Sequence, residues 1–132
     1  MNFNILIVDD SDTTRALIRR ALQMADLNLA TPLEAPNGKV ALQIIQANHI
    51  DLVLADLHMP EMNGVELAHA ILGNPATRAI PVAIISAEPS ATRIAELRKA
   101  GVKGYLKKPF TPESIRNLIK PFVEATHGAI AN

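Results

Sequence analysis

The 132-residue sequence has no cysteine and no tryptophan, and aromatic residues make up only 3% of it. Without cysteine, disulfides, thiolate-bound zinc and cysteine nucleophiles are excluded together. One tyrosine and three phenylalanines do not make a platform on which nucleobases stack. Net charge is missing as well: 13 Lys and Arg offset 13 Asp and Glu, so no overall basic field gathers nucleic acid or an anionic membrane. Purely aliphatic runs such as Ile5–Val8 end far short of the roughly 20 residues that cross a bilayer. The apolar start breaks at Asp9, too early for a signal peptide, so the expectation is a cytoplasmic chain without membrane insertion.

What is present is an aliphatic fraction sufficient for one core. Hydrophobic residues form 48% of the chain, and its length suits a single domain. The zero net charge is unevenly spread. Residues 1–66 hold nine acids and four bases, and residues 67–132 hold nine bases and four acids.

Short aliphatic runs alternate with longer amphipathic stretches. Strands are predicted over 3–8, 29–35, 51–56, 80–86 and 102–106. Helical spacing predicts helices over 13–24 behind an Asp12 cap, from Val40 to near Asn48, over 65–72, and over 91–100 closed by Gly101. Thr111 and Pro112 open a fifth helix, the hydroxyl as cap and the proline in the first turn. Pro32 assigns the second strand to a sheet edge. Pro121 predicts a kink or a stop near Lys120, because an interior proline removes an N–H and clashes with the carbonyl of Asn117. The fold class is therefore α/β: five near-continuously apolar strands alternating with five helices predict a doubly wound parallel sheet covered on both faces.

In such sheets ligands sit beyond the carboxyl ends of the strands. Those positions hold Asp9 and Asp10, then Asp56, then Ser86, then Lys108 followed by Pro109. Three carboxylates brought together repel one another, and a cation must share their space. Oxygen donors without cysteine favour a hard divalent ion such as Mg²⁺. A carboxylate beside that ion, with an ammonium and a hydroxyl opposite, suits in-line phosphoryl transfer.

The motifs Leu6-Ile7-Val8-Asp9-Asp10-Ser11, Glu34-Ala35-Pro36-Asn37-Gly38, Leu52-Val53-Leu54-Ala55-Asp56-Leu57-His58-Met59-Pro60 with Gly64, Pro81 to Ala87, and Lys108-Pro109-Phe110 stand in order along the chain. With them the sequence resembles the receiver domain of two-component response regulators, most of all the single-domain chemotaxis regulators. The resemblance implies a five-stranded sheet in the order 2-1-3-4-5. It implies a receiver domain over 1–126 and a short tail at 127–132. It implies that Asp56 accepts phosphate from a histidine kinase, and that Asp10, Asp56 and the backbone carbonyl of His58 ligate Mg²⁺, with Asp9 reaching it through water. Ser86 would hydrogen-bond the phosphoryl group, Lys108 would bridge it to the acidic pair, and Tyr105 would be the switch aromatic. A cis peptide before Pro109 is implied too.

Further expectations concern tuning and output. His58 and Glu88 would set how fast phosphate is lost. Asn63 stands where an acid often precedes Gly64 and is read as altering a loop. An effector protein would bind the surface of the fourth helix, fifth strand and fifth helix, where Arg93, Arg98, Lys99, Lys103 and Lys107 suit an acidic peptide. The chain is expected to be a monomer or weak dimer that binds no nucleic acid. It is not expected to be an enzyme beyond its own phosphotransfer and autodephosphorylation. A phosphorelay intermediate and an excised receiver are the alternatives within this reading. The rival from another class is a haloacid-dehalogenase-type phosphatase, since Asp10-Ser11-Asp12-Thr13-Thr14 fits its nucleophile motif with Asp10 as nucleophile and Asp12 as acid.

Overall fold

Five aliphatic segments too short to hide their own backbone pair side by side. In a computed structural model describing residues 2–87 and 90–131, the last five by backbone only, they form one parallel sheet in the order β2-β1-β3-β4-β5. The strands are β1 (Ile5–Val8), β2 (Leu33–Ala35), β3 (Leu52–Ala55), β4 (Val82–Ser86) and β5 (Gly104–Lys107). The helices α1 (Asp12–Met24), α2 (Gly38–Ala47), α3 (Gly64–Leu72), α4 (Ala91–Ala100) and α5 (Pro112–Ala131) alternate with them.

Side-chain alternation along the buried strands divides the core in two. Leu6, Val8, Val53, Ala55, Val82 and Ile84 meet Ala41 and Ile45 of α2, Leu67 and Ile71 of α3 and Leu97 of α4. Ile5, Ile7, Leu52, Leu54, Ala83 and Ile85 meet Ile18 and Leu22 of α1 and Ile115, Ile119 and Val123 of α5. Both faces are therefore covered, which is why the strands read as unbroken apolar runs.

Local chemistry moves several element ends from their predicted places. Ser11, not Asp12, caps α1, its hydroxyl accepting from the Thr14 N–H at 3.1 Å. β2 is shorter than predicted: ahead of Pro32, which has no N–H to give a ladder, pairing is limited to a bridge between Phe3 and Leu29. β5 begins at Gly104, because the Val102 N–H is spent on Leu97 O at the end of α4. Gly101 takes φ +117° there, a left-handed cap that suits glycine. Asn63 does more than alter a loop. It caps α3, accepting from the Glu66 N–H, while the Glu66 carboxylate accepts from the Asn63 N–H.

Of the kink or stop expected near Lys120, the stop does not occur, and α5 runs through Pro121. Ending there would expose Val123, which is 3% exposed, and Phe122, which packs on the same core. Burying side chains of this size is worth up to about 1.5–3 kcal/mol each, enough to offset the roughly 3 kcal/mol cost of an interior proline. The backbone at 127–131, read as the start of a tail, continues this helix. Among the described residues, no helix is long and apolar enough to cross a membrane.

Candidate functional site

The strand order reverses between β1 and β3, and the crevice at that switch point is where the first strand's acids meet the third strand's. The Asp9 N–H donates to Ala35 O at 3.1 Å, and the Asp56 N–H donates to Val8 O at 2.9 Å. Register alone therefore brings both residues to one edge. Oxygens of Asp9, Asp10 and Asp56 lie within 4.8 Å of one another, with Asp9 and Asp56 buried and Asp10 exposed.

Lys108, 99 residues from Asp9 in sequence, closes the crevice from β5. Its Nζ donates to Asp9 Oδ2 at 3.0 Å and to Asp56 Oδ2 at 3.3 Å. The other carboxylate oxygens are held by main chain: the Ser11 N–H donates to Asp9 Oδ1 at 2.9 Å and the Leu57 N–H to Asp56 Oδ1 at 2.8 Å. Burial pushes the Asp9 carboxyl above the ordinary aspartate value, against the pull of the Ser11 N–H and the Lys108 ammonium. Burial works against the Lys108 charge too, but Asp9 and Asp56 outweigh it and the ammonium's pKa is raised. Three carboxylates against one ammonium leave two negative charges over. That excess, carried by hard oxygen donors, fits a divalent cation.

Ser86 ends β4, fully buried. Its main-chain carbonyl accepts from the Lys108 N–H at 2.9 Å and from the Tyr105 hydroxyl at 3.3 Å. Tyr105 itself is half-buried against the α2–α3–α4 side of the core. The peptide between Lys108 and Pro109 is cis, as the resemblance implied. Gly64, at the start of α3, lies directly under the Asp56 main chain. A Cβ there would sit 2.1 Å from Asp56 O, so the approach of α3 to the site demands glycine.

The structure thus brings together Asp9, Asp10, Asp56, Lys108 and the end of β4 with Ser86. His58 follows on an exposed loop position. Glu88 lies outside the described residues. Asp12, the acid of the phosphatase reading, sits on the first turn of α1, 92% exposed and ion-paired to Arg15. One neighbour of the pocket was counted in the sequence only as a charge: Arg15, whose guanidinium donates to the main-chain oxygen of Asp9. Its bond runs to a main-chain oxygen, and Glu34 of β2 reaches it and Arg19 only once the chain has folded, so residue type carries no signal for it.

Fold and site together define a doubly wound α/β domain that presents an acidic pocket, a lysine and a buried serine at the carboxyl edge of its sheet. Over residues 5–120 the chain matches the response regulator receiver domain, and it belongs to that family. It is 35% identical over 124 residues to a chemotaxis protein CheY of Pseudomonas aeruginosa, covering 94% of this chain and 98% of that one. A chemotaxis protein CheY-3 of Vibrio cholerae is likewise 35% identical, over 93% of both chains. Among solved structures, the Vibrio cholerae chemotaxis protein CheY4 superimposes with a TM-score of 0.83 at 28% identity, covering 92% of this chain and 99% of that one. A CheY-like receiver domain protein from Methanospirillum hungatei shares the fold with a TM-score of 0.85 at 21% identity, over 98% of this chain and 99% of that one. The chain is accordingly a phosphorylatable switch of two-component signalling, with a histidine kinase as phosphodonor and an effector downstream. It is a signalling domain, and the phosphatase reading with Asp10 as nucleophile is set aside.

Proposed function

We propose that Asp56 is the phosphoacceptor of a cytoplasmic, chemotaxis-like regulator, and that the phosphoryl group resets a binding surface on α4, β5 and α5. The observation that carries this reading is the Lys108 Nζ shared between Asp56 at 3.3 Å and Asp9 at 3.0 Å. It sets an ammonium beside the one buried carboxylate at the end of β3.

In the forward step an Asp56 carboxylate oxygen attacks the phosphorus of a phosphohistidine. The new O–P bond forms as the P–N bond breaks, and the imidazole nitrogen leaves with the electron pair. Lys108 supplies a donor to the transferred group's oxygens, a place where charge builds in the transition state. A bound Mg²⁺, held by Asp10, Asp56 and the His58 carbonyl with Asp9 through water, would neutralise the remaining phosphoryl oxygens. Ser86, at the end of β4, would offer its hydroxyl to one of them. In the dephosphorylation step water attacks phosphorus, the bond from phosphorus to the Asp56 oxygen breaks, the carboxylate returns, and inorganic phosphate leaves carrying the water's oxygen and proton. His58, exposed beside the pocket, and Glu88 would govern how readily that water arrives.

Output follows from shared contacts. The Ser86 carbonyl already accepts from Tyr105 Oη and from the Lys108 N–H. A shift of Ser86 toward phosphate therefore acts on Tyr105 and on the α4–β5–α5 surface, where the exposed bases suit an acidic segment of an effector protein.

The test is labelling with acetyl phosphate or a phosphorylated histidine kinase. Asp56→Asn should abolish incorporation while the fold persists. Label that survives on Asp10 or elsewhere would reject the assignment. Beryllofluoride-dependent capture of an effector, as against a histidine phosphotransfer protein, distinguishes this output from a phosphorelay.

A further inference from the structure

We propose that Arg15 is a positioning residue for the acidic pocket: its guanidinium fixes the peptide joining Asp9 to Asp10, and so sets the angle at which the two carboxylates face a shared divalent cation. The inference rests on the reading of Asp9, Asp10 and Asp56 as a cation site.

Arg15 lies in the first turns of α1, its side chain 13% exposed and reaching Glu34 of β2. Nη1 donates to the main-chain oxygen of Asp9 at 2.5 Å and Nε to Glu34 Oε1 at 3.1 Å, while Nη2 pairs with Asp12. Glu34 is also paired with Arg19. Two guanidinium groups therefore balance two carboxylates beside the pocket. Arg15 carries no surplus charge for the Asp9 and Asp10 side chains, and what it supplies to them is geometry.

That geometry is specific. The carbonyl of Asp9 belongs to the same rigid peptide plane as the nitrogen of Asp10. Turning that plane swings Asp10 while the Asp9 carboxylate stays tied to the Ser11 N–H and to Lys108. The Asp10 side chain is exposed, so its main chain is what places it. Both main-chain groups of Asp9 are tied to β2: its N–H directly by Ala35 O, and its carbonyl through an arginine braced on Glu34. Hydrogen-bond partners one step removed from a metal change its affinity about 10- to 100-fold when they are lost.

Titration calorimetry with Mg²⁺, together with thermal unfolding in its absence, tests this on the full chain. Arg15→Met should weaken Mg²⁺ binding about 10-fold or more. Arg15→Lys should weaken it as well, because a lysine keeps the charge but cannot span the Asp9 carbonyl and Glu34 together. Glu34→Gln, which loosens the brace and leaves the arginine in place, should weaken it less, and it carries the test if Arg15→Met does not fold. Arg19→Gln, which removes the second ion pair of Glu34 and leaves Arg15 on both Asp9 and Glu34, should leave Mg²⁺ affinity at the wild-type value. Wild-type affinity in both Arg15 variants and in Glu34→Gln, with only the unfolding temperature lowered, would overturn the inference and leave Arg15 a structural brace. Failure of the underlying cation-site reading is separately visible, since the wild-type protein would then bind no Mg²⁺.

Discussion

Replacing Lys108 by methionine removes one charge and keeps most of the aliphatic stem, so it isolates the electrostatics of the pocket. The lysine Nζ lies 3.0 Å from Asp9 Oδ2 and 3.3 Å from Asp56 Oδ2. At an effective dielectric of about 20, each contact is worth about 5 kcal/mol before desolvation is counted. Removing one partner of a buried ion pair costs about 3–5 kcal/mol. With the lysine side chain 23% exposed, the lower end applies, about 3 kcal/mol. For a domain of this size that is a fall of about 10 °C in Tm, read by calorimetry or circular dichroism at neutral pH without Mg²⁺. The loss should shrink in two conditions. As pH falls, the Asp9 carboxyl, whose pKa burial has already raised, takes up a proton before an ordinary aspartate would, and the unpaired charge disappears. In excess Mg²⁺ the missing positive charge is replaced, and binding stabilises the folded state by mass action. A loss of the same size at every pH and Mg²⁺ concentration would refute an electrostatic origin for it. No loss at all would show that the two contacts contribute nothing.

Two other outcomes follow from the same pocket. Because Asp9 has its pKa raised above 3.8, its contribution to stability is fully present below that value and is lost as pH rises through the folded one. Its carboxylate is a net cost at neutral pH, so Asp9→Asn should raise Tm there in the absence of Mg²⁺, lose that advantage in acid, and gain less from added Mg²⁺ than the wild type. A Tm lowered at neutral pH would reject the sign. For His58→Ala, the rate of autodephosphorylation should change while Mg²⁺ affinity stays near wild type, since the proposal gives the metal only the backbone carbonyl; an unchanged rate removes the side chain from the tuning role.

The fold was legible because burial on both faces leaves a plain sign in each strand: Leu6, Val8, Val53 and Ala55 for one side of the sheet, Ile5, Ile7, Leu52 and Leu54 for the other. The placement of the candidate site was legible because its polar residues stand at or just past the end of each run, and register carries those residues to one edge. The differences arose where a backbone group or a distant surface decided the outcome. Val102 looks like strand until its N–H is seen closing α4. Pro121 looks like a stop until the packing of Phe122 and Val123 is weighed against it. Gly64 and Arg15 were invisible as shapers of the site for the same reason. One acts by the Cβ it lacks beneath Asp56, the other by a bond to a main-chain oxygen of Asp9. Neither contact is written in residue type.

The uneven charge of the two halves acquires a mechanical sense in this geometry. The first half supplies all three pocket carboxylates, and the second supplies Lys108, so the pocket closes only when β5 pairs with β4 at the far edge. That pairing ends where the Ser86 carbonyl accepts from both the Lys108 N–H and the Tyr105 hydroxyl. One carbonyl thus belongs to the site and to the surface at once. On the proposed reading a phosphoryl group can shift the surface only by the difference between its contacts with Ser86 and Lys108 in the two states, because a ligand that binds both equally shifts nothing. Weakening the Tyr105 hydroxyl contact while leaving the pocket whole should therefore leave labelling at Asp56 intact and alter the response of partner binding to it. Tyr105→Phe isolates that step: it retains the ring that packs on the core and deletes only the donor. Measured by effector affinity with and without beryllofluoride, a ratio that matched the wild type would show that the ring, and not its hydroxyl, carries the signal.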